Sequence, residues 1–169
     1  MILFETERLY VRRYRVDDEE SFFRINGDEE VVRFIRPAKS KAESKEFLNE
    51  NINLYKEGSV VGRFAVCEKK SDKLIGTFSF LYLSGEADFH LGYALVTDEW
   101  RKGYATELTK HGIDYFFKKT AHTVVYAITA EENSASQNVL VKSGFIKKEK
   151  TENYGKGVDL FYKEREQRD

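Results

Sequence analysis

A strand that enters a helix through a short glycine turn constrains this chain more than any other stretch. Phe89, Leu91, Tyr93 and Leu95 alternate with Asp88, His90, Gly92 and Ala94, the period of two of a strand with two distinct faces. Farther on, Ala105, Leu108, Gly112 and Phe116 recur at three- and four-residue steps and share one helix face. Between them lies Arg101-Lys102-Gly103-Tyr104-Ala105. The first four N–H groups of a helix have no partner inside it. Its aligned dipoles place about half a positive charge there. The turn is therefore suited to a phosphate or pyrophosphate. No Gly-Lys-Ser/Thr and no Gly-x-Gly-x-x-Gly occurs, so neither a P-loop nor a dinucleotide fold is indicated. On its own, the glycine could serve the turn alone and the two bases could be solvated.

With 169 residues, one structural unit over 1–169 is expected. The net charge is −1, which points to neither a nucleic-acid partner nor an anionic membrane. No apolar run approaches the ~18 residues of a membrane span, and no secretory signal opens the sequence, so a cytoplasmic location is the expectation. Cys67 is the single cysteine. It sits in the apolar run Phe64-Ala65-Val66-Cys67 and reads as a core thiol rather than a nucleophile. No metal is expected.

Residues 2–13 read as one opening strand. Asp17-Asp18-Glu19-Glu20 offers an N-cap and an acidic first turn to a helix through Phe22, Phe23 and Ile25. A second short helix spans 28–34. Ser40 and Glu43 form a capping box for a helix that turns Phe47, Leu48, Ile52 and Tyr55 inward and stops at Gly58. Strands follow over 63–68 and 73–83 with Ser71-Asp72 between them, and Ser84-Gly85 leads into the central strand. After the central helix, 123–130 reads as a buried strand. A helix begins at 133–137, with Ser134 and Gln137 as its capping box and Gly144 beyond its end. Residues 145–150 and 158–163 read as a final antiparallel pair. This order predicts an α/β or α+β sheet with helices on both faces.

Four stretches in this order resemble the GNAT acetyltransferase superfamily, and most of all its branch of ribosomal-protein N-terminal acetyltransferases, RimJ and RimL. They are Glu5-Thr6-Glu7-Arg8-Leu9 with Arg12 and Asp17-Asp18; Leu91-Gly92-Tyr93; Trp100-Arg101-Lys102-Gly103-Tyr104-Ala105-Thr106-Glu107; and Asn133-Ser134-Ala135-Ser136 followed by Gly144-Phe145. Trp100 departs from the superfamily's Gln/Arg at the first loop position, as is common in this branch. The resemblance implies a mixed, largely antiparallel sheet that splits in a V between its fourth and fifth strands. It implies acetyl-coenzyme A as cosubstrate and an amine as acceptor. The pyrophosphate would rest on the N–H groups of Arg101, Lys102, Gly103, Tyr104, Ala105 and Thr106. The pantetheine arm would lie along Tyr93, Ala94, Leu95 and Val96. Asn133 would bind that arm, and Ser136 would stand beside the sulfur.

Acetyl transfer needs an uncharged amine, a donor to the carbonyl and a proton for the leaving thiolate. His90, on the strand that should line the cleft, is the candidate base, with Asp88 able to orient its ring. Ser136 and Tyr154 are the candidate donors. His111 and His122 are weaker candidates for the base. Helix capping explains Asn133 and Ser136 equally well, and a half-solvated sheet face explains His90. The acceptor is left open between a protein N-terminus, a small amine and an antibiotic, and the protein between monomer and homodimer. A binding module that keeps the cofactor without turnover is the alternative.

Overall fold

The computed structural model describes residues 1–83, 87–148 and 157–167. Among these, eight strands form one sheet in the order β1-β2-β3-β4-β5-β6-β8-β7. The strands are β1 (Ile2–Glu5), β2 (Leu9–Arg12), β3 (Gly62–Glu68), β4 (Leu74–Tyr82), β5 (Phe89–Leu95), β6 (Val124–Ala130), β7 (Ile146–Lys147) and β8 (Val158–Glu164). Every pairing is antiparallel except that of β5 with β6. The helices are α1 (Glu19–Asn26), α2 (Glu29–Val32), α3 (Lys41–Leu54), α4 (Tyr104–Lys119) and α5 (Ser134–Lys142). No helix among the described residues is long and apolar enough to cross a membrane.

Side-chain alternation along the strands divides the helices between two faces. Phe78, Phe80 and Phe89 point to α4, where Phe80 and Phe89 meet the Phe116 ring at 5.1 and 5.7 Å. Thr77 and Arg63 point the other way. Tyr14 hydrogen-bonds Thr77 and packs edge-on against Phe22 of α1, which in turn meets Phe47 of α3. The core therefore fills both sides of β3, β4 and β5.

The opening residues differ from the single strand expected. Thr6 N–H donates to Leu9 O and folds 2–12 into the β1–β2 hairpin. Asp18 stands at the N-cap of α1 without a side-chain hydrogen bond to that helix, and closes the capping box of the 3-10 turn Val16–Asp18. Its carboxylate instead takes a two-pronged pair from Arg12, at 2.7 and 2.9 Å, and a hydrogen bond from Arg15 N–H. Burial raises the Asp18 pKa, but Arg12 and the Arg15 amide outweigh it and hold it below its ordinary value. The Ser40–Glu43 capping box forms as expected, although α3 ends at Leu54, short of Gly58. At α5 the cap is Asn133 rather than Ser134: its side chain accepts from Ser136 N–H at 3.2 Å. Gln137 turns to Asp159, at 2.9 Å. The 84–85 turn lies outside the described residues. Cys67 is fully buried, and burial pushes its thiol pKa up, as suits a core thiol.

Gly112 lets α4 settle onto the sheet. A Cβ there would lie 2.4 Å from Phe78 Cζ. That ring cannot retreat, being fully buried between Phe4 at 5.5 Å and Phe80 at 5.0 Å. Gly112→Ala gains ~1 kcal/mol of helix propensity but incurs an overpacking cost of ~1–3 kcal/mol. The expected result is a lower urea midpoint at unchanged slope; a midpoint equal to or above the parent's would refute this packing.

Candidate active site

β5 and β6 are in register only at His90↔Tyr126 and Leu91↔Ala127. Beyond that point β5 continues to pair with β4 as far as Leu95↔Gly76, while β6 continues with β8. The two strands part, leaving one edge of residues 92–95 unpaired. This is the expected split; because the opening strand is a hairpin, it falls between β5 and β6.

Which groups line that edge follows from strand parity. Val96 N–H donates to Ile75 O, so Val96 faces β4. Backbone polar groups alternate in direction along a strand, which sends those of Gly92 and Ala94 the same way. Tyr93 and Leu95 face the split. The Leu95 carbonyl is already engaged, accepting from Trp100 Nε1–H at 2.8 Å. Tyr93 N–H, Tyr93 C=O and Leu95 N–H are left for a ligand that runs as an added strand. Of the four residues expected to line the arm, Ala94 and Val96 thus turn their backbone groups away.

At the far end of this edge lies the turn before α4. The N–H groups of residues 101–106 have no acceptor among the described residues; the first satisfied one in the helix is Glu107 N–H, on Gly103 O at 3.1 Å. Arg101 has φ 62° and Gly103 φ 81°. Two left-handed residues flanking Lys102 curl the backbone into a concave run of N–H groups, a shape that receives anions. Lys102 Nζ is paired with Glu99 at 2.8 Å. Its hydrogen bond with Glu99 raises the ammonium pKa above its ordinary value, so it remains charged.

The turn is held from outside. Glu107 accepts from Thr6 Oγ1–H at 2.6 Å, Arg8 N–H at 2.8 Å and Arg8 Nε–H at 2.7 Å. Arg8 Nη1 also donates to Lys102 O at 2.9 Å, and its guanidinium lies 4.3 Å from the Tyr104 ring centre. Tyr104 O–H donates to Glu68 at 2.6 Å. Burial raises the Glu107 pKa; Thr6 and Arg8 more than offset this, and the carboxyl titrates below its ordinary value. The sequence offered Thr6-Glu7-Arg8 and Glu107 only as separate pieces of resemblance. Their contact joins residues too distant in sequence for periodicity to connect; the Trp100 bond to Leu95 is local but falls in the turn after β5, where no period runs.

At the apex the two faces of β5 differ. On the α4–α5 side, Tyr93 reaches from β5 to the first turn of α5, its hydroxyl 3.0 Å from Ser136 Oγ. Burial raises the Tyr93 pKa and the Ser136 hydrogen bond opposes this, leaving it above its ordinary value. The group is a phenol, able to donate. This hydroxyl was not foreseen; Tyr93 was expected only to line the arm. Asn133 Oδ1 is engaged as the α5 cap. On the opposite side stands His90, half-buried, with its pKa lowered by burial and then by the charge of Arg63. The structure shows no hydrogen bond from Asp88 to His90, and Asp88 precedes β5. His111 is exposed on α4. His122 packs against Phe89 and Phe116 at 4.9 and 5.7 Å. Tyr154 lies outside the described residues.

Known proteins share this fold. Residues 8–146 match the model of the acetyltransferase (GNAT) domain. The uncharacterized N-acetyltransferase YoaA of Bacillus subtilis is 27% identical over 148 residues, covering 86% of this chain and 83% of YoaA. A GNAT-family acetyltransferase from Bacillus anthracis superposes with a TM-score of 0.83 at 22% identity, over 97% of this chain and 98% of the other. RimL, a ribosomal L7/L12 α-N-protein acetyltransferase solved with coenzyme A, gives 0.81 at 13% identity, over 97% and 98%. Spermidine N-acetyltransferase from Vibrio cholerae, solved with coenzyme A and spermine, gives 0.75 at 19% identity, over 93% and 95%. The likeness thus extends across enzymes with different amine acceptors. The split sheet, the anion-receiving turn and the match over most of its length establish that this chain belongs to the GNAT family of N-acetyltransferases.

Proposed function

We propose that the chain acetylates a primary amine brought to the α1–α3 face of β5, with acetyl-coenzyme A entering along the split. The parting of β5 from β6 after Leu91 and Ala127 carries this reading, because it exposes a backbone edge between the anion-receiving turn and His90. When bound, acetyl-coenzyme A supplies an acyl carbonyl already activated as a thioester. The unpaired N–H groups of residues 101–106 and the concave turn at Arg101 and Gly103 fit its pyrophosphate. The Tyr93 and Leu95 edge fits the pantetheine amides, and the Asn133 side-chain amide faces the same end of α5.

His90 accepts the amine's proton, directly or through a water, from the α1–α3 side. An α-amino group of pKa about 8 costs roughly 1–1.5 kcal/mol to deprotonate at pH 7, whereas a lysine-like amine near 10.4 costs roughly 4–5 kcal/mol. A histidine whose basicity is reduced by burial and a neighbouring cation suits the first better than the second. Tyr93 N–H, the first unpaired donor past the apex, is placed to meet charge developing on the carbonyl oxygen. Tyr93 O–H and Ser136, linked across the split, supply the proton or hydrogen bond to the leaving sulfur. Among acceptors, α-amines are favoured, whether of a protein N-terminus or of a small molecule.

Three outcomes test this assignment. Gly103→Val puts a β-branched side chain on a backbone at φ 81° and weakens coenzyme A binding in calorimetry; unchanged affinity with the fold intact removes the turn from the site. Ser136→Ala lowers the single-turnover rate while coenzyme A affinity is kept. If the hydroxyl has no part in transfer, the rate per folded molecule stays at the parent's value. His90→Ala loses most of the rate and keeps coenzyme A binding. Because the His90 pKa is lowered by burial and then by the Arg63 charge, the acidic limb of the parent's pH–rate profile lies below that expected of a free imidazole, where the ring takes a proton. That limb is absent from the variant; a limb of the same position in both proteins assigns the base elsewhere.

A further inference from the structure

Two arginines on the α1–α3 face carry charge that no carboxylate among the described residues answers. Arg63 lies on β3 in line with Ser79 of β4 and Gly92 of β5. Arg36 follows α2, where its N–H donates to Val32 O. Each guanidinium is positioned by a buried asparagine. Arg36 Nη1 donates to Asn26 Oδ1 at 2.9 Å, and Arg63 Nη1 to Asn51 Oδ1 at 3.3 Å. Those asparagines are fixed in turn, Asn26 donating to Phe22 O at 3.0 Å and Asn51 to Phe47 O at 2.7 Å. Both guanidiniums flank the Phe47 ring, with centroid distances of 5.2 and 5.0 Å, and Lys39 Nζ lies 4.7 Å from it. None of these three cations makes an ion pair among the described residues. Burial lowers the Arg36 and Arg63 pKa values, and the charge of Arg63 adds to the effect on Arg36.

A surface that only stacked cations on an aromatic ring would gain little from each, and half-buried like charges oppose one another. Fixing them with buried asparagines, which supply acceptor oxygens and no charge, keeps the forks oriented and the field positive. Arginine forks so arranged match the geometry of a carboxylate or phosphate. The field also reaches His90, whose pKa the Arg63 charge lowers. Between Arg63 and the apex of the split stand two small residues: the buried Ser79, and Gly92, where an added Cβ would come 3.0 Å from Ser79 Oγ. The strand spacing puts β3 and β5 ~10 Å apart, a distance that a small acceptor and one arginine side chain together span. The groove lined by Phe23, Arg24, Asp28, Glu29, Val96 and Asp98 sets three carboxylates against one arginine and lies at the Val96 end, ~20 Å along β5 from His90.

The geometry points to an acceptor that carries an oxyanion together with its amine: Arg63 and Arg36 hold the carboxylate or phosphate of a small amino-acid-like molecule while His90 faces its amine. This rests on the reading that transfer occurs at the His90 end of the split. It disfavours polyamines, which the same field repels.

The test uses matched acceptors: amino acids against their carboxamides, phosphoethanolamine against ethanolamine, and spermidine. Free-thiol release is followed with acetyl-coenzyme A, and binding by calorimetry with coenzyme A present. The acidic member of at least one pair is expected to exceed its neutral partner at least tenfold in kcat/KM and in affinity, and the pair that does so identifies carboxylate or phosphate. Arg63→Gln and Arg36→Gln should raise KM for the acid far more than for its neutral partner, with Arg63→Lys intermediate. Equal binding of acids and neutral partners, a preference for spermidine, or a preference for acids that survives both glutamine substitutions overturns the proposal. Tight binding of an acid without thiol release would leave the anion site standing and overturn the assignment of transfer instead.

Discussion

Glu107 is the tie on which the cofactor end of the site depends. Three donors from the β1–β2 turn converge on its carboxylate. A carboxylate in the first turn of α4 would otherwise face the same N–H groups that a pyrophosphate needs, and the helix dipole favours either anion there. Thr6 and Arg8 draw Glu107 outward. Arg8 then reaches on to the Lys102 carbonyl, so one side chain fixes both the helix start and the turn preceding it. Arg101 is held at a positive φ that non-glycine residues rarely adopt, whereas Gly103 adopts its own at no steric cost. The N–H groups stay exposed because the carboxylate nearest to them is satisfied elsewhere.

The periodic parts of the fold were legible in the sequence. The alternation from Phe89 to Leu95 and the helical spacing from Ala105 to Phe116 gave β5 and α4, and Ser40 with Glu43 gave the start of α3. The failures came where a polar side chain bonded outside the element it was assigned to. Asp18 has the composition of a helix cap, yet Arg12 takes it into an inner ion pair. Thr6 and Arg8 lie in what reads as a continuous strand, yet their bonds to Glu107 accompany a hairpin. Ser134 and Gln137 have capping-box spacing, but Asn133 caps α5 while Gln137 bonds Asp159. Local pattern cannot anticipate a bond whose partner is tens of residues away.

For the site, parity along β5 yielded the two faces but not what each meets. His90 could be assigned opposite Leu91 from alternation alone. That Arg63 would tune it required the pairing of β3, β4 and β5, and that Tyr93 would meet Ser136 required α5 to pack over the split. Trp100, a departure from the superfamily's pattern in the sequence, has a structural role: its indole takes the Leu95 carbonyl and ties the end of β5 to the turn. That bond removes one acceptor from the open edge, so a strand-like ligand there has two donors and one acceptor to match between Tyr93 and Leu95.

On the function proposed above, the opposed faces of β5 separate two requirements that conflict when met together. A leaving thiolate needs a donor that keeps its proton until the carbon–sulfur bond weakens, and burial of Tyr93 raises its pKa and favours the phenol. An attacking amine needs a group that is unprotonated beforehand, and burial, aided by the Arg63 charge, favours the neutral imidazole. Burial stabilises the uncharged form of both groups, which makes one a donor and the other an acceptor at the same pH. The backbone of β5 lies between them, so the two do not exchange the proton directly. On this reasoning the positive field around Arg63 has two effects with one origin. It adds to burial in lowering the His90 pKa, which suits an α-amine, and on the inference above it attracts an anion beside the path of that amine. Both follow from placing arginines at 36 and 63 on neutral asparagines rather than on carboxylates.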